Sequence, residues 1–203
     1  EMDCSETRAV IRLLKKRRIE LVTGSPPCTD FSNAGNRIEG ARAGLTSKFA
    51  DIVVGCGAKG AIVENVPEVL SSNAFHEFEA KLLAAGFHLV SFVIDASKVG
   101  VPQRRRRAFI IATRGSLDSL RPILQASQDL ANAPVTTPNE VIPKIGKWFL
   151  TTPRNKSSPA VVPSDQPAPT LRTGCGSRIN KQTYQPRTRD DGPIEEAKEL
   201  SVK

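Results

Sequence analysis

Apolar positions recur in two distinct patterns over the first 113 residues, and each pattern predicts one type of element. Apolar residues at helical spacing predict helices, and short apolar runs bounded by turn residues predict strands. The predicted helices cover residues 5–17, 45–54 and 73–85, and the predicted strands cover residues 19–23, 61–63, 89–94 and 108–112. Ser5 and Asn73 are the predicted N-caps of the first and third helices, and Gly86 is the predicted stop of the third. This alternation favours an α/β protein with a Rossmann-like, doubly wound, mostly parallel sheet.

Two chemically reactive side chains stand just past the ends of predicted strands. Cys28 follows strand 19–23 after the sequence Gly-Ser-Pro-Pro, whose prolines cannot continue a sheet ladder. Glu64 follows strand 61–63. Ligands bind at the carboxyl ends of the strands in sheets of this kind. The pattern therefore predicts that a thiol and a carboxylate lie at the same edge of the sheet.

The character of the chain changes after about residue 115. Prolines become frequent, no strongly helical pattern is present, and basic and polar residues surround the only tryptophan, Trp148. We predict an α/β core at residues 1–115 and a small irregular or β-rich region at 116–189. A poorly ordered tail is the alternative interpretation of the region after the core.

The charge of the chain indicates an anionic partner. Lys and Arg number 29 against 21 Asp and Glu, which gives a formal net charge of +8. Such a surface attracts polyanions such as nucleic acids, although a basic surface without a partner is the alternative. No apolar stretch reaches the roughly 18 residues that a membrane span requires, and no cleavable signal pattern opens the chain. We expect a cytoplasmic protein without membrane association, located at the nucleoid if it is bacterial.

Cysteine and histidine are too sparse for several common types of site. The cysteines are Cys4, Cys28, Cys56 and Cys175. They are far apart and form no Cys-x-x-Cys pair, so neither a metal site nor a disulfide framework is predicted. His76 and His88 are the only histidines, and we expect them to pack or to lie on the surface. Their scarcity argues against a cysteine-histidine hydrolase, which needs a positioned imidazole.

Four stretches, in this order along the chain, resemble the motifs of the DNA cytosine-5 methyltransferases. They are PPCTDFS at 26–32 for the nucleophile motif, ARAGL at 41–45 for a cofactor-contacting element, VENV at 63–66 for the glutamate motif and VPQRRRRAFII at 101–111 for the glutamine-arginine motif. A weaker similarity, PAPTLRT at 167–173, resembles the segment that closes the family's target-recognition region. The resemblance implies an incomplete class I methyltransferase-like core at 1–115, a target-recognition region at 116–189 and a return segment to the core at 190–203.

The resemblance also implies a reaction and a set of catalytic residues. A methyl group would pass from S-adenosylmethionine to C5 of a cytosine in double-stranded DNA, after Cys28 attacks C6 as a thiolate. Glu64 would hold a proton against cytosine N3, and Asn65 would orient the site. Arg105 and Arg107 match the two arginines of the motif, with Arg107 the contact to the target base. Strand alternation predicts that both arginines point to one side.

A free thiol has a pKa near 8.5 and is only a few per cent ionised at neutral pH. One guanidinium at about 4 Å is sufficient to offset this handicap at an effective dielectric near 20. An arginine close to Cys28 would therefore activate the thiol.

Further residues would bind the methyl donor or the DNA. The implied donor-binding residues are Asp3, Pro27 and Leu45, and the implied DNA-binding residues are Ser32, Arg37, Arg42 and Gln103. A base inside a duplex must be flipped out to reach such a site. The glycine-containing, basic loop at 29–44 is suited to grasp phosphates behind the flipped base. No metal is implied.

The chain also departs from the family pattern. The glycine-rich cofactor loop and the last motif are absent, and ELSVK at 199–203 resembles only the beginning of the penultimate motif. Glu1 is a further candidate for the ribose-binding acid, although its spacing is short. We expect a fragment, one subunit of a split enzyme whose complementary polypeptide carries the missing motifs, or a rearranged gene product.

The main hypothesis is a DNA cytosine-5 methyltransferase of the restriction-modification type, or a fragment of one. The first alternative is a non-catalytic DNA-binding fragment with the same core, which the missing glycine loop favours. The second alternative is a relative that methylates cytosine in RNA.

Overall fold

The computed structural model describes residues 6–27, 44–142, 148–151, 160–168 and 197–199. These residues belong to two compact units. The first unit is drawn from Glu1–Ile94 and Arg106–Asp129, and the second from Asp95–Arg105 and Leu130–Lys203. Within the described ranges, no helix is both long and apolar enough to cross a membrane. The predicted boundaries at residues 115 and 189 stay a prediction.

The first unit is an α/β structure, as the alternation of patterns predicted. Its strands are β1 (Leu21–Gly24), β2 (Gly60–Asn65), β3 (His88–Asp95) and β4 (Arg106–Thr113). Its helices are α1 (Thr7–Lys16), α2 (Gly44–Cys56), α3 (Asn73–Ala84) and α4 (Arg121–Asn132). Short 3-10 helices cover Pro67–Ser71 and Leu117–Leu120 in this unit, and Ala96–Val99 in the second. The α/β class is confirmed. Asp95 at the end of β3 and residues 130–132 at the end of α4 are counted in the second unit.

The four strands form one sheet in the order β1-β2-β4-β3. Strands β1 and β2 are parallel, whereas β2 and β4 are antiparallel. The antiparallel pairing is a feature that the sequence pattern does not predict. Strands β3 and β4 are neighbours in the sheet, and the connection between them, residues 96–105, is too short for the crossover helix that parallel neighbours require. The chain therefore reverses direction as it enters β4.

One face of the sheet is buried and the other is only partly covered. Alternate residues of β2 and β4 are buried in the core, namely Ala61, Val63, Asn65, Ala108, Ile110 and Ala112. The apolar members of this set join the same cluster as Val53 of α2 and Phe78 and Leu82 of α3. The residues between them, including Glu64, are partly exposed. The alternation of strand side chains thus places Glu64 on the face opposite the core.

Two helix boundaries differ from the sequence prediction. The N-cap of α3 is Ser72, not Asn73: the Ser72 hydroxyl accepts a hydrogen bond from the Phe75 N–H at 3.1 Å. Ser72 has an extended backbone, which is typical of an N-cap, and Asn73 is the first helical residue. Helix α1 begins at Thr7 with Glu6 as N-cap, and Ser5 lies outside the described residues. Gly86 adopts φ +80° after α3 and confirms the predicted stop.

The second unit contains a small separate sheet. Helix α5 is Pro138–Val141, and the strands are β5 (Trp148–Thr151), β6 (Ala160–Pro163) and β7 (Ala197–Glu199). Strand β5 is antiparallel to β6 and parallel to β7.

The expectation that strong helices are absent after residue 115 was wrong, because α4 has 12 residues. Pro122 does not prevent α4, because it lies in the first turn, where backbone N–H groups have no intrahelical partner.

Candidate active site

The predicted site residues are divided between the described and the undescribed parts of the chain. Pro27, Leu45, Glu64, Asn65, Gln103, Arg105 and Arg107 are described. Asp3, Cys28, Ser32, Arg37 and Arg42 lie outside the described residues. Within the described ranges, no group of three or more histidine, cysteine or acidic residues is arranged to hold a metal ion.

The carboxyl ends of β1 and β2 are joined by side-chain hydrogen bonds. Gly24 pairs with Val63 in the parallel register, so the next residues along bring Ser25 beside Glu64 and Pro26 beside Asn65. Ser25 Oγ donates to Glu64 Oε2 at 2.7 Å, and Asn65 Nδ2 donates to the Pro26 carbonyl at 3.1 Å. Because proline has no N–H, the backbone ladder cannot continue at this point. The two side-chain bonds connect the strands in its place.

Glu64 also pairs with Arg107 on the neighbouring antiparallel strand. Glu64 stands opposite Phe109, so Arg107 is its diagonal neighbour on the same face and within reach of a long side chain. Arg107 Nε donates to Glu64 Oε1 at 2.7 Å, while Arg107 Nη1 donates to the Arg106 carbonyl at 2.8 Å. The side chains of Glu64 and Arg107 are 33% and 22% exposed. Among the described residues each carboxylate oxygen therefore has one donor, and the group remains accessible from solvent.

Asn65 lies on the opposite, buried face and uses both ends of its amide. It is 2% exposed, and its Oδ1 accepts a hydrogen bond from the Val66 N–H at 2.8 Å while its Nδ2 reaches Pro26. Buried polar groups are normally satisfied in this way. Since Cys28 is two residues after Pro26, Asn65 anchors the chain directly before the predicted nucleophile.

Arg105 does not lie on strand β4, which begins at Arg106. The alternation argument that placed Arg105 beside Arg107 therefore does not apply, and a role of Arg105 in the site stays a prediction. Arg105 is exposed, its N–H donates to Asp95 Oδ1 at 3.3 Å, and its carbonyl accepts from the Ala96 N–H at 3.0 Å. These contacts fix the backbone of Arg105 and leave its side chain accessible.

Gln103 is held within the second unit. It forms an isolated parallel bridge with Ala168, whose carbonyl accepts from the Arg104 N–H at 2.7 Å and whose N–H donates to the Pro102 carbonyl at 2.9 Å. These bonds join the segment of the glutamine-arginine motif to the segment that resembles the close of the target-recognition region. Gln103 itself is partly exposed, and its contact with DNA stays a prediction.

Ser25 is the residue of this site that the sequence interpretation missed. The sequence Gly-Ser-Pro-Pro was treated only as the end of a strand, and Ser25 received no role. Its contact with Glu64 spans 39 residues, so no local pattern indicates it. The available signal was the parallel register, because the residue one past Gly24 must lie beside the residue one past Val63.

Comparison with known proteins gives matches over most of the chain. Residues 2–198 match the family of C-5 cytosine-specific DNA methylases. The chain is 35% identical over 206 residues to Type II methyltransferase M.HgiDI of Herpetosiphon aurantiacus, covering 100% of this chain and 65% of that relative. It is 33% identical over 175 residues to Type II methyltransferase M.HindV of Haemophilus influenzae, covering 84% of this chain and 57% of that relative.

Solved structures give weaker similarity. The crystal structure of the S. pombe Dnmt2 methyltransferase is 17% identical, with a TM-score of 0.49, and covers 69% of this chain and 43% of that chain. Our chain spans less than two thirds of the length of the two Type II methyltransferases above. Because the family match extends over nearly all of its residues, the chain belongs to the C-5 cytosine-specific DNA methylase family.

Proposed function

We propose that this chain provides the catalytic site of a DNA cytosine-5 methyltransferase of the restriction-modification type. The reaction would transfer a methyl group from S-adenosylmethionine to C5 of a cytosine flipped out of double-stranded DNA. The observation that carries the proposal is the carboxylate of Glu64, held by Ser25 and Arg107 beside the segment that leads to Cys28. Family membership and relatives named Type II methyltransferases support it.

The proposed chemistry begins with the sulfur of Cys28. Its thiolate forms a bond to cytosine C6, and the electron pair of the C5–C6 double bond becomes available at C5. C5 would take the methyl group as the bond between that group and the donor sulfur breaks, which leaves S-adenosylhomocysteine. A base then removes the proton from C5, and the bond between sulfur and C6 breaks to restore the ring. This sequence of steps leaves the enzyme unchanged.

Glu64 would act on the ring while Cys28 attacks. A proton held between Glu64 and cytosine N3 reduces the negative charge that builds up on the ring. An ionised carboxylate has about four acceptor positions on its two oxygens, and Ser25 and Arg107 occupy one on each. With respect to these two donors, the Glu64 carboxylate therefore still has acceptor positions for hydrogen bonds from the target cytosine. The guanidinium of Arg107, next to that carboxylate, is suited to contact the same base.

Asn65 would keep the nucleophile and the acid in register. Its amide holds Pro26 from the buried face while Glu64 contacts Ser25 from the other face. Positioning of reacting groups contributes strongly to rate, and small displacements are costly. This double attachment supports the view that Asn65 orients the site and does not react itself.

Pro27 and Leu45 fit contact with the methyl donor. Pro27 is exposed three residues after the end of β1, and Leu45 is partly exposed in the first turn of α2. Such accessible apolar surfaces suit the adenosine part of S-adenosylmethionine, which supplies the methyl group when bound. Asp3 is proposed as the polar partner of this ligand.

Double-stranded DNA is the proposed substrate. The formal charge of +8 favours a polyanion, and Ser32, Arg37, Arg42 and Gln103 are proposed to contact it. Arg105, with its exposed side chain, is proposed to work beside Arg107 at the target base. Recognition of the target sequence is assigned to residues 116–189. A complementary polypeptide with the missing motifs stays a prediction.

A trapping experiment tests the proposal. The chain is incubated with S-adenosylmethionine and a DNA duplex containing 5-fluorocytosine. This base carries fluorine at C5 in place of the hydrogen that is normally removed as a proton, so the reaction stops at the covalent intermediate, which accumulates. We expect an adduct that resists denaturation, is lost in Cys28→Ser and persists in Cys56→Ser. Cys56 is buried in the core, which makes it the matched control.

Two results would overturn the proposal and identify an alternative. Salt-sensitive binding of DNA by the wild-type chain without any adduct would indicate a non-catalytic DNA-binding protein. An adduct with 5-fluorocytosine in RNA but not in DNA would indicate an RNA methyltransferase.

A further inference from the structure

We propose that Ser25 is a positioning residue that fixes the orientation of the Glu64 carboxylate during methyl transfer. This inference rests on the proposed function, since it gives Ser25 a part in that reaction. Ser25 Oγ donates to Glu64 Oε2, and Arg107 Nε donates to Glu64 Oε1, both at 2.7 Å. The two donors therefore grip different oxygens of one carboxylate.

A carboxylate held at one oxygen can still turn. The last torsion of a glutamate side chain has a broad, shallow preference, so its intrinsic energy does not select an orientation. Arg107 alone would hold Oε1. The carboxylate could still turn about the Cγ–Cδ bond, and Oε2 would move with it. A second donor on Oε2 removes this freedom. Ser25 thus supplies the orientation that a hydrogen bond to cytosine N3 requires.

The backbone around Ser25 is suited to this task. A residue before proline is confined to extended conformations, and the ring of Pro26 fixes the next φ angle. Asn65 holds the Pro26 carbonyl from the buried side of the sheet. The Ser25 hydroxyl is therefore presented by a restrained backbone and loses little freedom when it binds Glu64.

Ser25 and Arg107 differ in how they respond to the charge of Glu64. The guanidinium is always positive, so its bond to Oε1 is a charged one. The hydroxyl is neutral, and it can donate to Oε2 whether Glu64 is ionised or carries a proton towards cytosine N3. Ser25 can therefore hold the same orientation before and after the proton moves. A positively charged residue at position 25 would instead oppose protonation.

The kinetic test compares Ser25→Ala with Ser25→Thr. The rate of adduct formation is measured at saturating 5-fluorocytosine DNA, together with the dissociation constant for DNA. We expect Ser25→Ala to slow adduct formation by about tenfold, as for the loss of one hydrogen bond in the transition state, with unchanged DNA affinity. Ser25→Thr keeps the hydroxyl on a residue that favours extended backbone, so its rate should return to within about threefold of wild type.

Ser71→Ala is the matched control for the loss of a serine hydroxyl. Ser71 is also exposed, and its hydroxyl donates to the Glu68 carbonyl at 3.1 Å. We expect a wild-type rate for this variant. An equal rate for Ser25→Ala and wild type would overturn the inference. It would also be overturned if Ser25→Ala and Ser25→Thr were equally slow and both melted at lower temperature, because that result indicates a purely structural role.

A structural measurement separates this inference from the proposed function. Crystal structures of the wild-type and Ser25→Ala chains are compared at Glu64. We expect the carboxylate to rotate, or to occupy several orientations, when the hydroxyl is removed. The same single orientation in both structures would overturn the role of Ser25. If the wild-type chain forms no adduct, the proposed function fails, and the crystal structures still decide whether Ser25 positions Glu64.

Discussion

Glu64 and Arg107 form an ion pair across the antiparallel strands β2 and β4, with Arg107 Nε 2.7 Å from Glu64 Oε1. The two residues are diagonal neighbours, because Glu64 stands opposite Phe109 in the register. Both side chains are partly exposed, and ion pairs in such positions contribute little to stability. The main effect of this pair is to hold a carboxylate and a guanidinium together at one end of the sheet.

The first prediction concerns the charge of Glu64. Glu64→Gln keeps the shape of the side chain, but the side chain can no longer carry a negative charge or take up and release a proton. We expect the rate of methyl transfer to DNA to fall by about 10²- to 10⁴-fold, which is the usual contribution of a general acid or base. Transfer of a labelled methyl group from S-adenosylmethionine measures the effect.

Glu68→Gln is the control for this change, because Glu68 is an exposed glutamate four residues further along the chain. It should leave the rate unchanged. A Glu64→Gln rate within threefold of wild type would show that Glu64 does not take part in the reaction.

The second prediction concerns the two arginines of the glutamine-arginine motif. Arg107→Lys keeps the positive charge but loses Nε and the planar fork of donors, so the bond to Glu64 Oε1 is lost. We expect methyl transfer to slow by about tenfold or more. Arg105→Lys should have a smaller effect, since the Arg105 side chain is exposed and lies before β4.

A double-mutant cycle checks whether Arg107 acts through Glu64. Combining Arg107→Lys with Glu64→Gln should slow methyl transfer by less than the product of the two single effects, because both changes weaken the same charged contact. Independent, multiplicative effects would contradict this coupling. A larger effect of Arg105→Lys than of Arg107→Lys would contradict the assignment of Arg107 as the principal arginine.

The third prediction concerns the stability that Asn65 contributes. Asn65→Ala removes two buried hydrogen bonds, and the Pro26 carbonyl and the Val66 N–H lose their side-chain partner. Unsatisfied buried groups cost about 1–3 kcal/mol each, so we expect the free energy of unfolding to fall by about 2–6 kcal/mol. Urea denaturation followed by circular dichroism measures it.

Asn73→Ala is the comparison for Asn65→Ala, because Asn73 is exposed in the first turn of α3, where water can replace a hydrogen-bond partner that the change removes. We expect its effect on the free energy of unfolding to be below about 1 kcal/mol. Similar values for the two variants would show that the Asn65 amide is not a structural link.

The fourth prediction uses two adjacent leucines of α3. Leu82 is 0% exposed within the core, whereas Leu83 is 54% exposed. Leu82→Ala should lower the free energy of unfolding by about 2–5 kcal/mol through lost burial and a cavity. Leu83→Ala should change it by less than about 0.5 kcal/mol. Equal losses in urea denaturation would contradict the assignment of the buried helix face.

Local patterns in the sequence were sufficient to predict the helices and strands of the first 113 residues and the family of the chain. Apolar periodicity located the strands and helices of the first 113 residues within a few positions, because alternation and helical spacing depend only on near neighbours. Short motifs indicated the cytosine-5 methyltransferases, and the comparison confirmed that family. Glu64 and Asn65 were expected at the end of a strand, and they are the last two residues of β2.

Helix α4 shows where local patterns were insufficient. The prolines and polar residues after position 115 indicated an irregular region, and the helix was not predicted. Helix propensity is a weak signal, and packing against the rest of the chain often decides whether such a segment is helical.

The contacts that define the site were decided by tertiary structure alone. The direction of β4 depends on the length of its connection to β3, and the partner of Arg107 depends on the register between β4 and β2. The bond between Ser25 and Glu64 joins residues 39 positions apart. The sequence by itself determined which residues can do chemistry, because residue type and near-neighbour spacing are local. Only the folded sheet decided which of them meet, because strand direction and register arise from the packing of the whole unit.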